Sequence, residues 1–206
     1  MDFKKLIIIG AGGHGRVVQD VALSMGKWDE ILFLDEGVKE NGFDMKIIGK
    51  PEDAFSYIKE ADVFVAIGDN NKRKKMVLDL LKKGASVPAL IHRSAVLGKD
   101  VTAERGSVIM AGVAVNCNSV IGKGAIINTG VTLDHDNIIG DFSHISPGAT
   151  LAGTVKIGEG SWIGTGSSLI NNIEITEGCI IGAGSVVIRD IKEPGTYVGV
   201  PAKKIK

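Results

Sequence analysis

The chain is poor in cysteine and aromatic residues, and its charge is balanced. Its 206 residues include two cysteines, two tryptophans and two tyrosines, and 24 Lys and Arg balance 24 Asp and Glu. Two cysteines cannot build a disulfide framework, and we expect both thiols to be free and buried. Without net charge or aromatic residues for base stacking, we expect neither nucleic acid nor an anionic membrane as a partner. These shortages leave small molecules as the favoured ligands.

Long apolar segments are missing as well. No apolar run is long enough to span a bilayer, and residues 1–5 lead into a short apolar strand without the hydrophobic region of a signal peptide. We therefore expect a cytoplasmic protein. A chain of 206 residues has room for two small domains, which we place at residues 1–92 and 93–206.

The first domain alternates between apolar strands and helices. Strands are predicted at residues 6–9, 31–34, 62–67 and 87–91, and helices at residues 16–25, near 51–59 and near 72–83. This alternation is typical of a parallel α/β sheet, in which ligands bind at the carboxyl ends of the strands. The basic run at residues 72–75 is interpreted as a solvated helix face, although its Arg73 could reach a phosphate.

A glycine-rich turn, GAGGHG at residues 10–15, follows the first strand. Gly10, Gly12 and Gly15 match the spacing of a dinucleotide-binding turn, and Asp35 lies where an acidic residue would bind a ribose hydroxyl. However, the domain supplies only one mononucleotide-binding half, whereas NAD normally spans two. A nucleotide that carries a sugar fits better, with its diphosphate at the glycine amides and the helix N-terminus. A tight turn without any ligand is the alternative.

A six-residue apolar repeat fills the second domain. The first position of each hexad is apolar at every step: Leu97, Ala103, Ile109, Val115, Ile121, Ile127, Leu133, Ile139, Ile145, Leu151, Ile157, Ile163, Leu169, Ile175, Ile181 and Val187. The fifth position is mostly small or β-branched, and Cys179 occupies one of these inward positions. A period of six fits neither an α-helix nor a hairpin sheet, but it fits a parallel β-helix of short strands. If three hexads close each turn, about sixteen hexads form a little over five coils.

Two histidines lie in the middle of the repeats, outside the inward positions. His135 is third and His144 is sixth in its hexad, so both side chains should project outward. Asp134 and Asp136 flank His135, and a carboxylate beside an imidazole can fix its tautomer and raise its basicity. The two histidines are nine residues apart, which is half a coil, so a site that uses both needs a neighbouring subunit. A catalytic zinc site needs three protein ligands, so we expect no metal here.

Several motifs together resemble one family of enzymes. GAGGHG, AIGDNNKRKK, LIHRSA, LDHDNIIGDFSHISPGATLAGTVKIG and GVPAK are similar to motifs of the hexapeptide-repeat sugar O- and N-acetyltransferases, a family that includes PglD, the perosamine N-acetyltransferases and the NeuD group. The resemblance covers nearly the whole chain. It implies a half-Rossmann α/β domain followed by a left-handed β-helix, with acetyl-CoA as co-substrate. It also implies a homotrimer that binds the acetyl donor between neighbouring solenoids.

The resemblance further implies roles for individual residues. The family's general base falls on His135, and the acidic partner that raises its basicity falls on Asp136, where some relatives have glutamate. His144 falls where the family contacts acetyl-CoA, and Thr165 and Ala183 match positions further along the CoA groove. The positions that match the nucleotide-sugar site are Gly12, Gly13, His14, Asp35, Glu36 and Gly68.

We therefore expect an acetyl-CoA-dependent N-acetyltransferase that acts on a nucleotide-linked 4-amino-4,6-dideoxy sugar, with a UDP-linked, bacillosamine-type acceptor favoured over GDP-perosamine. The amine would attack the thioester directly, because no cysteine or serine is placed with a base as an acyl-enzyme requires. Lys203, Lys204 and Lys206 could meet the CoA phosphates or belong to a frayed, solvated tail. The nearest alternative is O-acetylation of a sialic acid or another sugar hydroxyl. A non-catalytic, nucleotide-sensing trimeric scaffold is the alternative from another class, and an NAD-linked oxidoreductase is the weakest.

Overall fold

The computed structural model describes residues 4–37 and 45–206, which separate into two compact units, Met1–Arg93 and Ser94–Lys206. The elements of the first unit are β1 (Lys5–Ile9), α1 (Gly13–Met25), β2 (Glu30–Leu34), β3 (Ile47–Gly49), a 3-10 helix (Pro51–Ser56), β4 (Asp62–Val65), α2 (Asn70–Lys82) and β5 (Leu90–Ile91). Strands β3, β2, β1 and β4 form one parallel sheet in that order, which confirms the predicted α/β class.

The centre of this sheet is its most apolar strand. Residues 6–9 of β1 are all 0% exposed, as expected for a parallel strand that is covered on both faces. Because the strands are parallel, the loops that follow β1, β2 and β4 lie along one edge of the sheet. This arrangement brings the glycine turn, the loop at residue 35 and the loop at residue 68 to the same edge.

Several elements of this unit differ from the sequence predictions. The strand predicted at 87–91 is reduced to β5 (Leu90–Ile91), which is not one of the four strands of this sheet, and β4 ends at Val65 rather than at residue 67. Helix α1 begins at Gly13 rather than at residue 16, so the glycine turn supplies the first turn of the helix. A Cβ at Gly15 would overlap the carbonyl oxygen of Gly10, so only glycine permits this tight start. The helix predicted near 51–59 is a short 3-10 helix that starts at Pro51, and strand β3 was not predicted because three residues carry no periodic signal.

The second unit is built from short strands at regular intervals. They are β6 (Val96–Leu97), β7 (Thr102–Ala103), β8 (Val108–Ile109), β9 (Ala114–Val115), β10 (Val120–Ile121), β11 (Ile126–Ile127), β12 (Thr132–Leu133), β13 (Ile138–Ile139), β14 (His144–Ile145), β15 (Thr150–Leu151), β16 (Lys156–Ile157), β17 (Trp162–Ile163), β18 (Ser168–Leu169), β19 (Glu174–Ile175), β20 (Ile180–Ile181), β21 (Val186–Val187), β22 (Thr196–Val198) and β23 (Lys203–Lys204).

These strands form the three faces of a parallel β-helix. Sheet I contains β6, β9, β12, β15, β18 and β21; sheet II contains β7, β10, β13, β16 and β19; sheet III includes β8, β11, β14, β17, β20, β22 and β23. From β6 to β18, each strand pairs in parallel with the strand 18 residues further on, for example Leu133 with Leu151. One coil therefore consists of three hexads, and the segments that join consecutive sheets are called corners below.

The hexad pattern predicts the core of the β-helix correctly. From Ile109 to Val187, every first-position side chain is at most 3% exposed. The fifth positions are also buried over this range, and they include Cys179 at 0% exposure. Cys117, by contrast, is exposed, which contradicts the prediction that both thiols are buried. It is the third residue of its hexad and lies at a corner rather than inside the coil.

The C-terminal lysines do not form a frayed tail. Strand β23, which contains Lys203 and Lys204, pairs antiparallel with β22, and Lys204 Nζ lies 2.9 Å from Glu193 Oε2. Among the described residues, no helix has the length and apolar character that crossing a membrane requires.

Candidate active site

His135 lies on the corner that joins β12 of sheet I to β13 of sheet II. Its Nδ1 is 2.7 Å from Oδ2 of Asp136, and the two side chains are 51% and 47% exposed. Asp136 has a left-handed backbone conformation, with φ of 57°. This conformation turns the chain sharply enough for two consecutive side chains to meet, and aspartate tolerates it better than most residues. An imidazole with a bound carboxylate therefore faces solvent.

The corner of the preceding coil fixes both carboxylates that flank the ring. Asn118 Nδ2 donates to Asp136 Oδ1 at 3.1 Å, and Asn116 Nδ2 donates to Asp134 Oδ1 at 2.7 Å. Both asparagines lie 18 residues before their partners, directly across the coil stack. Each carboxylate is thus fixed in place by an amide from the preceding coil.

These contacts shift the protonation equilibria in a consistent direction. The hydrogen bond to Asp136, together with the negative charge of Asp134, raises the pKa of His135. The hydrogen bonds from His135 and Asn118 lower the pKa of Asp136. The carboxylate stays ionised while the imidazole becomes a stronger base, which suits a group that must accept a proton.

The ring of His135 lies over a glycine of the next coil. A Cβ placed on Gly153 would lie 2.6 Å from both Cε1 and Nε2 of the imidazole. Any side chain there would displace the ring. Gly153 therefore provides the space in which the ring takes up its position.

His144 occupies a different face of the β-helix, on β14 of sheet III. Its ring stacks on Trp162, with centroids 5.3 Å apart and an interplanar angle of 20°. Trp162 Nε1 in turn donates to Ser146 Oγ at 2.7 Å. Thr129 N donates to Asn128 Oδ1 at 2.8 Å, which turns the Asn128 amide nitrogen towards His144 Nε2 at 3.1 Å. This orientation of the amide makes Asn128 Nδ2 the donor and His144 Nε2 the acceptor of the pair.

Thr165 and Ala183 lie on the corners that follow β17 and β20, the strands beyond β14 in sheet III. Both residues are exposed, and they lie one coil apart. A Cβ at Gly164 would be 2.6 Å from the backbone nitrogen of Ala183, so the two corners are in close contact. The structure places these two residues next to the face that carries His144, and on a different corner of the triangle from His135.

In the first unit, the predicted ligand-binding glycines open helix α1. Gly12 and Gly13 are exposed, and Gly12 is the N-cap of the helix. Burial lowers the pKa of His14 to about 4, with a further contribution from the charge of Arg73. Among the described residues, none hydrogen-bonds to its buried Nε2. The helix begins with exposed glycines, whose amide groups can bind an anion, and with a neutral imidazole.

Asp35, Glu36 and Gly68, the other residues predicted to bind the nucleotide sugar, lie at the same edge of the sheet. Asp35 stabilises the backbone there. Its Oδ2 accepts from Ala11 N at 2.7 Å and its Oδ1 accepts from Gly37 N at 2.8 Å, so it ties two loops together. Glu36 and Gly68 are exposed. Asp35 can reach a ligand only through the remaining lone pairs of these oxygens.

Arg73 departs from the sequence interpretation of a solvated basic face, because it is only 1% exposed. Its Nη1 donates to the carbonyl oxygens of Ile67 at 3.0 Å and Gly68 at 3.1 Å, and its Nη2 donates to Asn70 Oδ1 at 2.8 Å. The buried guanidinium thus shapes the loop after β4. The basic run at residues 72–75 does not by itself show that the side chain of Arg73 is buried.

Sequence reasoning also missed three residues around His135, namely Asn116, Asn118 and Gly153. Each lies 18 residues from the side chain that it contacts. A search at a spacing of one coil would have found them. In the part of the chain that the structure describes, no three His, Cys, Asp or Glu side chains come together in a way that could hold a metal ion.

Comparisons with known proteins agree with this architecture. Residues 5–80 match the PglD N-terminal domain, and residues 154–189 match the bacterial transferase hexapeptide family of six repeats. The chain is similar to the UDP-N-acetylbacillosamine N-acetyltransferase of Bacillus subtilis (strain 168), with 37% identity over 113 residues. This match spans 52% of the chain and 52% of that curated relative.

Two solved structures resemble the chain over its whole length. The acetyltransferase domain of PglB from Neisseria gonorrhoeae FA1090, in complex with acetyl coenzyme A, is 37% identical, with a TM-score of 0.95 over 99% of this chain and 100% of that one. PerB from Caulobacter crescentus, in complex with CoA and GDP-perosamine, is 36% identical, with a TM-score of 0.91 over 100% of this chain and 99% of that one. The α/β unit, the left-handed β-helix and this similarity lead to one conclusion. The chain belongs to the hexapeptide-repeat sugar acetyltransferase family of PglD and the perosamine N-acetyltransferases.

Proposed function

We propose that this protein transfers the acetyl group of acetyl-CoA to the amine of a nucleotide-linked amino sugar. The observation that carries the proposal is the hydrogen-bonded pair of His135 and Asp136 on an exposed corner. The chain that presents this pair is similar over its length to one structure that contains acetyl-CoA and another that contains CoA and GDP-perosamine. The similarity to the bacillosamine enzyme supports a UDP-linked 4-amino-4,6-dideoxy sugar as the first acceptor to test.

The proposed reaction is a direct attack of the amine on the thioester. The nitrogen forms a bond to the acetyl carbonyl carbon, the carbon–sulfur bond breaks, and CoA leaves as its thiolate. His135 accepts the proton that the nitrogen loses when it becomes an amide, and Asp136 stabilises the imidazolium that results. The proton then passes to the thiolate or to water, which restores the neutral base.

We propose that His144, Thr165 and Ala183 contact the CoA part of the donor. These residues lie on a different part of the triangular coil from His135. We propose that a donor touching both regions lies between two copies of the β-helix, as in the homotrimer that the family resemblance implies. The glycines that open α1, together with His14, are proposed to bind the nucleotide diphosphate of the acceptor.

The test is release of free thiol from acetyl-CoA in the presence of a panel of UDP- and GDP-linked 4-amino sugars. We expect release with at least one of them, and we expect His135→Ala to reduce turnover by roughly 10²- to 10⁴-fold, the usual contribution of a positioned base. Lys99→Ala is the matched control, because Lys99 occupies the same corner position two coils earlier. A wild-type rate in His135→Ala with the assembly intact would contradict the role of this residue.

The same assay separates the alternatives. Acetylation of a hydroxy sugar, with amino sugars inactive, would show an O-acetyltransferase. Nucleotide binding without any thiol release from acetyl-CoA would show a sensing scaffold instead of an enzyme.

A further inference from the structure

One interior side chain beside the proposed base differs from its counterparts in the other coils. Serine, alanine, valine, isoleucine or cysteine fills the fifth hexad position elsewhere in the β-helix, but Asn137 fills it at the corner that carries His135. Asn137 is 0% exposed. A buried carboxamide is costly unless its polar atoms are paired, so its partners indicate what it does.

The carboxamide of Asn137 connects two successive corners. Its Nδ2 donates to the carbonyl oxygen of Asp134 at 2.6 Å and to that of Ala152 at 3.1 Å, and it lies 3.5 Å from the carbonyl oxygen of His135. Its Oδ1 accepts from the backbone N–H of Val155 at 3.1 Å. Carbonyl groups only accept and backbone N–H groups only donate, so these partners leave one orientation for the carboxamide.

A serine at this position cannot donate to both corners. Ser107 Oγ donates within its own corner, to the carbonyl oxygen of Glu104 at 2.6 Å. Ser143 Oγ instead donates to the next coil, to the carbonyl oxygen of Gly158 at 2.9 Å. A hydroxyl group has one proton to donate, whereas a carboxamide has two. Asn137 can therefore donate to a carbonyl group of its own corner and to one of the next corner at the same time.

The two corners that Asn137 joins are the ones that hold the ring of His135. The ring and its partner Asp136 lie on the corner of residues 134–137, and Gly153, over which the ring lies, is on the corner of residues 152–155. We propose that Asn137 is a positioning residue, which sets the height of the His135 ring over Gly153 and its alignment with Asp136. The proposal rests on the proposed function of His135 as the base.

Asn137→Ser tests this role, because serine fills the fifth position in several other hexads, including Ser119 on the same corner one coil earlier. We expect kcat to fall about 10- to 100-fold, since misplacing a reacting group by about 1 Å can cost roughly 10²-fold in rate. We expect KM for both substrates to change less than about twofold. Ser143→Ala is the matched control, because it also removes one interior hydrogen bond, and its kcat should stay within about twofold of wild type. Equal kcat values for the two variants would overturn the proposal.

A second readout needs no substrate and keeps the proposal falsifiable if no acceptor is found. Among the described residues, the charged groups that act on the ring are Asp134 and Asp136 on its own corner. The corner before carries Cys117, whose backbone oxygen accepts from Asp136 N, and the corner after places Gly153 at the ring. The His135 titration is followed by NMR of isotope-labelled histidine and assigned with His135→Ala. We expect the pKa of His135 to fall in Asn137→Ser, because the hydrogen bond to Asp136 loosens, and to stay unchanged in Ser143→Ala.

An unchanged pKa of His135 in Asn137→Ser overturns the positioning role, whatever the enzyme acetylates. A lowered pKa without thiol release from acetyl-CoA in the wild-type protein supports the positioning role and rejects the proposed function alone. If Asn137→Ser does not fold, Asn137→Ala is measured in the same way. The two proposals therefore fail on different results.

Discussion

Replacing Gly153 by alanine is the most direct test of the geometry around the proposed base. The new Cβ would lie 2.6 Å from Cε1 and Nε2 of His135, whereas ordinary van der Waals contact begins at 3.4 Å. The ring must therefore move by about 0.8 Å, the difference between these two distances. Since a misplacement of about 1 Å can cost roughly 10²-fold in rate, we expect kcat to fall about 10- to 100-fold.

The same substitution should leave the fold almost unchanged. The atoms that obstruct the new Cβ belong to the far end of an imidazole that is 51% exposed, so the ring can shift towards solvent without moving the backbone. Gly140→Ala provides the contrast, because its Cβ would lie 2.7 Å from the backbone of the next coil, at the oxygen of Ile157 and the nitrogen of Glu159. We expect Gly140→Ala to lower the free energy of unfolding in urea by about 1–3 kcal/mol, the usual cost of overpacking.

A double-mutant cycle with His135→Ala then assigns the cause of the lost activity. If Gly153→Ala acts by moving the ring, it should produce no further loss of thiol release once the ring is absent. A loss of equal size in both backgrounds would refute the reasoning, as would a kcat for Gly153→Ala within about twofold of wild type. The cycle needs only steady-state rates and four proteins.

Two further predictions concern protonation. Asp136→Asn replaces the carboxylate whose hydrogen bond contributes most to the raised pKa of His135, so the acidic limb of the pH profile of kcat should move to lower pH and the plateau should fall. Asp100→Asn, a substitution at the same corner position two coils earlier, should change neither, and an unmoved limb in Asp136→Asn would contradict the pairing. Burial lowers the pKa of His14 from 6.5 to about 4 in the folded protein, so protonation of this histidine favours the unfolded chain. We expect the free energy of unfolding to be unaffected by this group above pH 6.5 and to fall by about 3 kcal/mol as the pH is lowered towards 4. Urea unfolding at pH 7 and pH 4 should show this loss in the wild-type protein and not in His14→Gln, and equal losses in both proteins would show that His14 is not buried in its neutral form.

The sequence predicted those features that depend on local repetition. The hexads predicted the buried first positions from Ile109 to Val187, because each coil packs on a copy of itself and the inward direction repeats every six residues. The α/β class of the first unit followed from the alternation of strands and helices. The pairing of the His135 imidazole with the Asp136 carboxylate could be predicted because the two residues are adjacent in the chain.

Contacts between coils could not be predicted from local pattern alone. Asn118 and Gly153 are remote from His135 in the sequence, and they meet its corner only because the coils stack with a repeat of 18 residues. The burial of Arg73 and the use of Asp35 to tie two loops together also depend on how separate segments pack. In the sequence alone, Arg73 looks like part of a solvated basic helix face and Asp35 looks like a ligand of a ribose hydroxyl.

By itself, the sequence determined the kind of fold and the identity of the exposed histidine with its carboxylate, because both are encoded in neighbouring residues. Only the tertiary structure decided the surroundings of that histidine: the asparagines of the preceding coil, the glycine under the ring and the carboxamide of Asn137 that joins the two corners. The physical reason is distance along the chain. Side chains that are 18 residues apart come into contact through the stacking of whole coils, and that stacking is a property of the folded chain.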